Sequence, residues 1–420
     1  MSFQGGGTPD KGNPDFWTGG TIPWVSPKDM KVDRIADSED HITEAAVDGS
    51  ATHLLPTGSV LVVVRGMILA HTLPVAVTTG PVTINQDIKA LVCGPRILPE
   101  FLHAVLAGQS GWLLSLADSS AHGTKKLETE VLRRLEVPCP PLEVQRGILA
   151  TLQVRASNLD ELSASKQRVL GLIAEKRKAI VATGVIRGVD PKAQLHYSGL
   201  PWLGEIPTRW SVRKLARLFR ERDERGEPDL PLLAVSINAG VVEREFSDDR
   251  IESTAADFNT YKVARTGDVV FNKMRMWQGA VGVAPSDGLV SPDYVVAVPT
   301  GALRSEYAGM LFRTSQFSAE CGRHSYGIVW DRLRLYWEGF RSIAVPVPPE
   351  QEQERIIDNI TRETAQIDAV RAATERTIAL LKERRAALVA AAVTGQLDTS
   401  QALHEDSDAV PRTVIRQRTA

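Results

Sequence analysis

Asn13-Pro14-Asp15-Phe16 and Asp87-Ile88-Lys89 are the two stretches whose residue types and spacing come nearest to a reactive arrangement. The first approaches the Asn-Pro-Pro-aromatic tetrapeptide of enzymes that methylate base amino groups. Asp15 stands where the second proline belongs, and no strand with a Gly-rich loop precedes it to hold S-adenosylmethionine, so it reads as a loop. The second is half of an Asp-x-Lys nuclease motif. Metal-assisted cleavage needs another carboxylate beside it, and a strand end accounts for Asp87 and Lys89 equally well. No Walker-type phosphate loop and no His-Glu-x-x-His helix occurs. Cys93, Cys139 and Cys321 are an odd, scattered set, which argues against a disulfide framework or a zinc site.

Binding chemistry is better represented. Contact with nucleic acid needs Lys and Arg for phosphates, and Arg, Lys, Asn or Gln for base edges. Lys273-Met274-Arg275-Met276-Trp277 gathers two cations, an aromatic and flexible Met at the end of a strand. Arg65 occupies the matching place earlier in the chain. A second aromatic and basic loop is Arg323-His324-Ser325-Tyr326, running on to Trp330; its earlier counterpart is His122-Gly123-Thr124-Lys125-Lys126. Lys28 follows Ile22-Pro23-Trp24, where Trp24 reads as core. Asn85 and Gln86 have the amide that pairs with adenine, but structural hydrogen bonding suits them as well. For each group the alternative is a solvated strand end or a packed turn.

These residues come in pairs because the chain repeats itself. Residues 137–190 and 345–398 align without a gap at an offset of 208 (345 − 137), from VPCPPLEVQRGI and VPVPPEQEQERI to RGVD and GQLD. Within the first, Ile148, Leu152, Arg155, Leu159, Leu162, Lys166, Val169, Ile173, Lys176 and Ile180 recur at spacings of 4 and 3. Adding 208 gives Ile356, Ile360, Glu363, Ile367, Val370, Thr374, Thr377, Leu381, Arg384 and Leu388. This is the heptad signature of a coiled coil. Each helix is expected to run about 37 residues, on the order of 55 Å, with the Pro pairs at its entry. Neither seam stays dry alone, so the two helices are expected to pair. The seam charges favour an antiparallel arrangement, with Arg155 near Glu383 and Glu363 near Lys176. A long connection permits either direction.

The repeat extends upstream. Gly58 through Met67 resembles Gly267 through Met276, a Gly turn, a strand and then basic residues; Asn85-Gln86-Asp87 matches Ser291-Pro292-Asp293, and Glu100-Phe101 matches Glu306-Tyr307. Strands are expected over 60–64, 75–77, 82–84, 232–237, 269–271 and 294–298. The fold class is therefore α+β: two mixed α/β globular domains, each followed by a long helix, the helices pairing as an antiparallel coiled coil. The boundaries are 1–136, 137–190, 191–344, 345–398, and a polar tail over 399–420 expected to be disordered. The first domain starts short, with no counterpart of residues 198–219.

Composition bounds the rest. With 43% hydrophobic and 24% charged residues the 420-residue chain is ordinary for a globular protein. A net charge of −2 gives no overall pull toward nucleic acid, so basic residues must be concentrated locally. No apolar run approaches membrane-spanning length and no signal peptide is visible, so a cytoplasmic location is expected.

Together the motifs resemble the specificity subunits of type I restriction–modification systems. Gly6-Gly7-Thr8-Pro9, Trp17, Ile22-Pro23-Trp24, Ser26-Pro27-Lys28-Asp29, His41-Ile42-Thr43 and Asn85-Gln86-Asp87 resemble the family's target-recognition domain. Trp202 through Pro207 with Trp210 resembles its domain opening. Val137 through Glu143 and Val345 through Gln351 resemble its PPLxEQ helix entry. The resemblance implies a non-catalytic reader of a bipartite, asymmetric target in double-stranded DNA, serving in cellular defence. Its candidate DNA-binding residues are Lys28, Arg65, Gln86, Lys125, Lys273, Arg275, Trp277, His324 and Tyr326. The helix seam and docking residues are Ile148, Leu152, Leu159, Val169, Ile173, Ile356, Ile360, Ile367, Leu381 and Leu388. It further implies two modification subunits that bring S-adenosylmethionine and flip out adenine. Two restriction subunits, where present, bring ATP with magnesium. This chain is expected to hold no cofactor, no metal and no catalytic residue. The other readings are a coiled-coil adaptor without sequence-specific DNA binding, which the near-neutral charge suits, and a stand-alone nuclease or methyltransferase.

Overall fold

The structure, a computed structural model, describes residues 1–119, 124–244, 258–327 and 333–396. The expected disordered tail at 399–420 lies outside the described residues, as do His122, Gly123 and Trp330. The chain divides into two compact units, Met1–Gln167 with Arg376–Ala420, and Arg168–Glu375. Both dividing points fall within the long helices, Leu142–Arg187 and Glu350–Val393. Each unit thus holds one globular body and a stretch of each helix.

The first unit is built on a five-stranded sheet ordered Ser2–Gly5, Ile88–Val92, Val60–Val63, Val75–Thr78, Arg34–Ile35. Val60–Val63 is buried at every position, as a continuous apolar strand in a sheet covered on both faces must be. Gly58, at φ +80°, makes the turn that starts it. The helix Pro99–Gly108 joins the sheet to the long helices. Its Leu102 and Leu106 pack into the sheet core, while Phe101, Ala104 and Val105 pack on Ile148, Leu152, Ala392 and Val393.

The second unit repeats this plan. Its four-stranded sheet is ordered Phe219–Arg222, Tyr294–Pro299, Val269–Asn272, Val281–Val283, antiparallel throughout. The first four strands of the other sheet follow the same order, also antiparallel. Gly267, at φ +89°, stands where Gly58 does. The helix Ser305–Phe312 replaces Pro99–Gly108, and its Tyr307 donates a hydrogen bond to the Val185 carbonyl at 2.6 Å.

One ribbon is particular to the second unit. Ser211–Lys214 pairs with Ala344–Val347, the segment leading to it adds Leu203, Ile206 and Trp210 to the core, and Leu215 just after it adds one more. The residues matching Ala344–Val347, 136–139, form no strand. Glu352 lies beneath the ribbon at 3% exposure with Arg209 Nε at 3.0 Å, whereas its counterpart Val144 is 44% exposed.

The helices pair antiparallel, and both units show it by the same ion pair. Arg385 meets Asp160 at 2.9 Å in the first unit; Arg177 meets Asp368 at 3.2 Å in the second. Asp160 and Asp368 are repeat mates, and so are Arg177 and Arg385. The expected pairs through Arg155 and Lys176 give way to these, one turn along. The helices are also longer than periodicity suggested, at 46 and 44 residues. Their first turns begin directly after the prolines, where a missing N–H costs nothing. Of the expected seam, Ile148, Leu152, Ile356 and Ile360 are buried, and Leu159, Ile173, Ile367, Leu381 and Leu388 are half-buried. Val169 remains 38% exposed. The predicted seam position Thr374 is buried too; a strict heptad drifts ~20° per repeat around a straight helix, and Thr364 and Ile378, off the predicted positions, are also buried.

Candidate nucleic-acid interface

In the first unit Arg65 and Lys125 come together on a small sheet, Asp118–Ser119, Lys125–Lys126 and Arg65–Gly66. Its register sets Lys126 opposite Arg65 and Lys125 opposite Gly66. The sheet is anchored where Leu127 N donates to the Val64 carbonyl at 2.8 Å, and Leu127 itself is buried. That bond leaves the preceding lysines at the rim. Lys126 is drawn to Glu128 at 2.6 Å, and Arg65 is exposed. Met67, just beyond, is 71% exposed.

The second unit builds the same edge with other residues. Leu335 N donates to the Lys273 carbonyl at 2.8 Å, repeating the Leu127 anchor, and Tyr326 and Arg334 exchange backbone hydrogen bonds at 3.0 and 2.9 Å. This brings Lys273 and Tyr326, 53 residues apart in sequence (326 − 273), to one rim. Lys273 Nζ lies 6.0 Å from the centre of the Tyr336 ring and 3.6 Å from Asp293. Arg275 is exposed at the start of the short helix Met276–Gln278, and Tyr326 is 68% exposed. Trp277 is half-buried and donates from its indole N–H to the Met274 carbonyl at 3.0 Å. Met274, like Met67, is exposed beside the cations. Cations on a rim with aromatic faces can bind phosphates and stack on or hydrogen-bond to bases.

The remaining candidates sit elsewhere or are occupied. Lys28 and Gln86 follow the ends of paired strands, since Ile22–Val25 runs parallel to Thr83–Ile84 and Asn85 N donates to the Val25 carbonyl at 3.0 Å. Lys28 bonds to Asp40 at 2.8 Å, with Glu39 at 3.2 Å, and the Asp40 bond holds its ammonium above the ordinary lysine value. Gln86 accepts from Thr8 at 2.6 Å. Asn85 is an internal turn residue, bonded to the backbone and side chain of Asp87. The His324 ring lies between Glu320 at 3.3 Å and Ser342 at 2.9 Å, on the flank of the rim.

Lys126, from the basic loop His122–Lys126, belongs to these rims, and so do Arg334 and Tyr336, which sequence reasoning missed. The offset of 208, which places Lys126 on Arg334, was the available signal. Gly6 illustrates the other side of motif reading. Any Cβ there would fall 1.9 Å from the Ile84 carbonyl, and Gly7 accepts the Trp24 indole N–H at 2.9 Å. The Gly-Gly-Thr-Pro stretch therefore holds the strands that carry Gln86. Among the described residues no cluster of His, Cys, Asp or Glu forms a cation site, and no helix is long and apolar enough to cross a membrane.

Comparison with known proteins bears out the resemblance. Residues 1–169 match the family described as the type I restriction modification DNA specificity domain. Over 150 residues the chain is 37% identical to the specificity subunit of the type I restriction enzyme EcoR124I/EcoR124II of Escherichia coli, covering 36% of this chain and 37% of that protein. Over 221 residues it is 26% identical to the MjaIX specificity subunit of Methanocaldococcus jannaschii, covering 51% of this chain and 49% of the relative. The chain thus spans less than half the length of either relative. A solved chain from work on complex assembly and conformational transition of the type I R-M system shares the fold, with a TM-score of 0.64 at 16% identity. That likeness covers 94% of this chain and 96% of the other.

Proposed function

We propose, from a chain whose residues 1–169 match the type I restriction modification DNA specificity domain, that the whole protein is the non-catalytic DNA-reading subunit of such a system. Each unit reads one part of a split target through its basic rim. The observation that carries this reading is the rim itself, built twice on the same anchor and armed with different residues. Arg65, Lys125 and Lys126 serve the first unit; Lys273, Arg275, Tyr326 and Arg334 serve the second. Two readers with unlike side chains suit an asymmetric target. The antiparallel helices act as the spacer, so the separation of half-sites follows from a rigid distance. Their outer faces dock the modification subunits, which bring S-adenosylmethionine, and restriction subunits bring ATP with magnesium. Trp277 and His324 support the second rim, and Lys28 and Gln86, on the strand ends beside the first unit's sheet, make secondary contacts.

The test is methylome sequencing of cells carrying the modification subunit with and without this chain. The expected result is one two-part motif, methylated only when the chain is present. Replacing residues 1–136 with another recognition domain then alters one half of the motif. Methylation that ignores the chain, or a replacement that changes both halves, refutes the reading. Sequence-indifferent binding by the assembled complex would favour an adaptor.

A further inference from the structure

Each long helix begins with a buried glutamine that makes the same three hydrogen bonds. Gln145 is 0% exposed and Gln353 2% exposed. The Gln145 amide nitrogen donates to the carbonyls of Arg96 at 2.9 Å and Pro140 at 2.7 Å, and its oxygen accepts from Leu98 N at 2.9 Å. The Gln353 amide donates to Ala302 at 3.2 Å and Pro348 at 2.9 Å, and accepts from Arg304 N at 2.8 Å. Leu98 and Arg304 are the cap residues of Pro99–Gly108 and Ser305–Phe312, the helices that join each body to its long helix.

On the reading that this chain measures a split DNA target, we infer that Gln145 and Gln353 are positioning residues: each fixes the angle at which its long helix leaves the globular body. The amide is suited to this because it spends both N–H donors and its carbonyl at once. Two of its bonds reach across 47 to 51 residues of sequence, to the body, and one reaches back to the Pro turn of the helix entry. A carboxylate would face two carbonyl oxygens with no proton to offer. Asn is one methylene short. Leu fills the space and leaves three buried polar groups unpaired. Apolar contacts such as Phe101 on Ile148 and Leu152 hold body and helix together without direction. The glutamine supplies the direction.

The experiment uses the full chain assembled with its modification subunit, and duplexes carrying the cognate halves at the native spacing and at one base pair more or less. Gln145→Glu, Gln145→Asn, Gln353→Glu and Gln353→Asn are compared with wild type by binding and thermal unfolding. Wild type is expected to prefer its native spacing. In every variant that folds, that preference falls about tenfold, the worth of one lost buried hydrogen bond, while both half-sequences are still required. A purely local capping role lowers the melting temperature and leaves the spacing preference unchanged; that result overturns the inference and spares the DNA-reading proposal. A wild-type complex with no two-part preference overturns both. The Asn variants retain the amide and supply the folded sample should the Glu variants not fold.

Discussion

Gly184 allows the two long helices to approach closely in the second unit, and replacing it should be costly in a way the rest of the helix is not. A Cβ at Gly184 would stand 2.8 Å from Ile360 Cδ1 and 2.9 Å from Cγ1. Gly184→Ala gains about 1 kcal/mol of helix propensity and incurs about 1 to 3 kcal/mol of overpacking. The net expectation is destabilisation by up to about 2 kcal/mol. Gly171 lies on the same helix with nothing within 4 Å of its Cβ position, so Gly171→Ala should stabilise by about 0.4 to 1 kcal/mol. The repeat also supplies the repair. The residues matching Gly184 and Ile360 in the first unit are Ala392 and Leu152, both buried in one cluster. Gly184→Ala with Ile360→Leu installs that pairing and should recover most of the loss. Scanning calorimetry reads the effect, at about 2 to 4 °C per kcal/mol for a unit of this size. If Gly184→Ala stabilises as much as Gly171→Ala, the close approach does not exist in solution and the packing argument fails.

Three further outcomes follow from particular contacts. Arg65→Ala and Arg275→Ala should each weaken DNA binding by the assembled complex and lower the salt dependence by about one phosphate contact; Lys28→Ala, already held by Asp40 and Glu39, should do so least. An unchanged salt slope for both Arg variants would remove the rims from the interface. Tyr307→Phe deletes the donor to the Val185 carbonyl and should cost about 1 kcal/mol; calorimetry showing no loss would mean water replaces it. Burial pushes the His103 imidazole below its ordinary value of 6.5. The unfolded chain then binds the extra proton first, so the first unit should lose stability as pH falls through about 6.5. His103→Gln should flatten that dependence in unfolding measured across pH 5 to 8, and an equally steep profile would implicate another group.

The long helices were legible because heptad periodicity is local, and an ungapped repeat of fifty-odd residues leaves little choice of element. The strands after Gly58 and Gly267 were legible for the same reason, each being a Gly turn followed by an apolar run. Their shared sheet order was not, since antiparallel pairing joins segments tens of residues apart without marking them. The site divided along that line. Arg65, Lys273 and Arg275 stood out by type and do reach the rims. Arg334 and Tyr336 flank Leu335, whose hydrogen bond to the distant Lys273 carbonyl brings them to the rim, and had no mark of their own. Lys28 looked free in sequence, and only the fold reveals Asp40 beside it. Gln145 and Gln353 sit in the aligned repeat, two residues past the helix-entry motif at Glu143 and Gln351, and their partners lie in another element altogether.

The duplicated ion pair has a consequence for chain order. Each helix carries one Asp and one Arg at matching places, and each pair joins the Asp of one helix to the Arg of the other. Exchanging the two helices returns the same two ion pairs. The charges therefore fix antiparallel direction and register, as a self-complementary isologous contact does, yet they contain no record of which half is synthesised first. For these two ion pairs the order of the halves is set only by the covalent connections, and a permuted chain would re-form both.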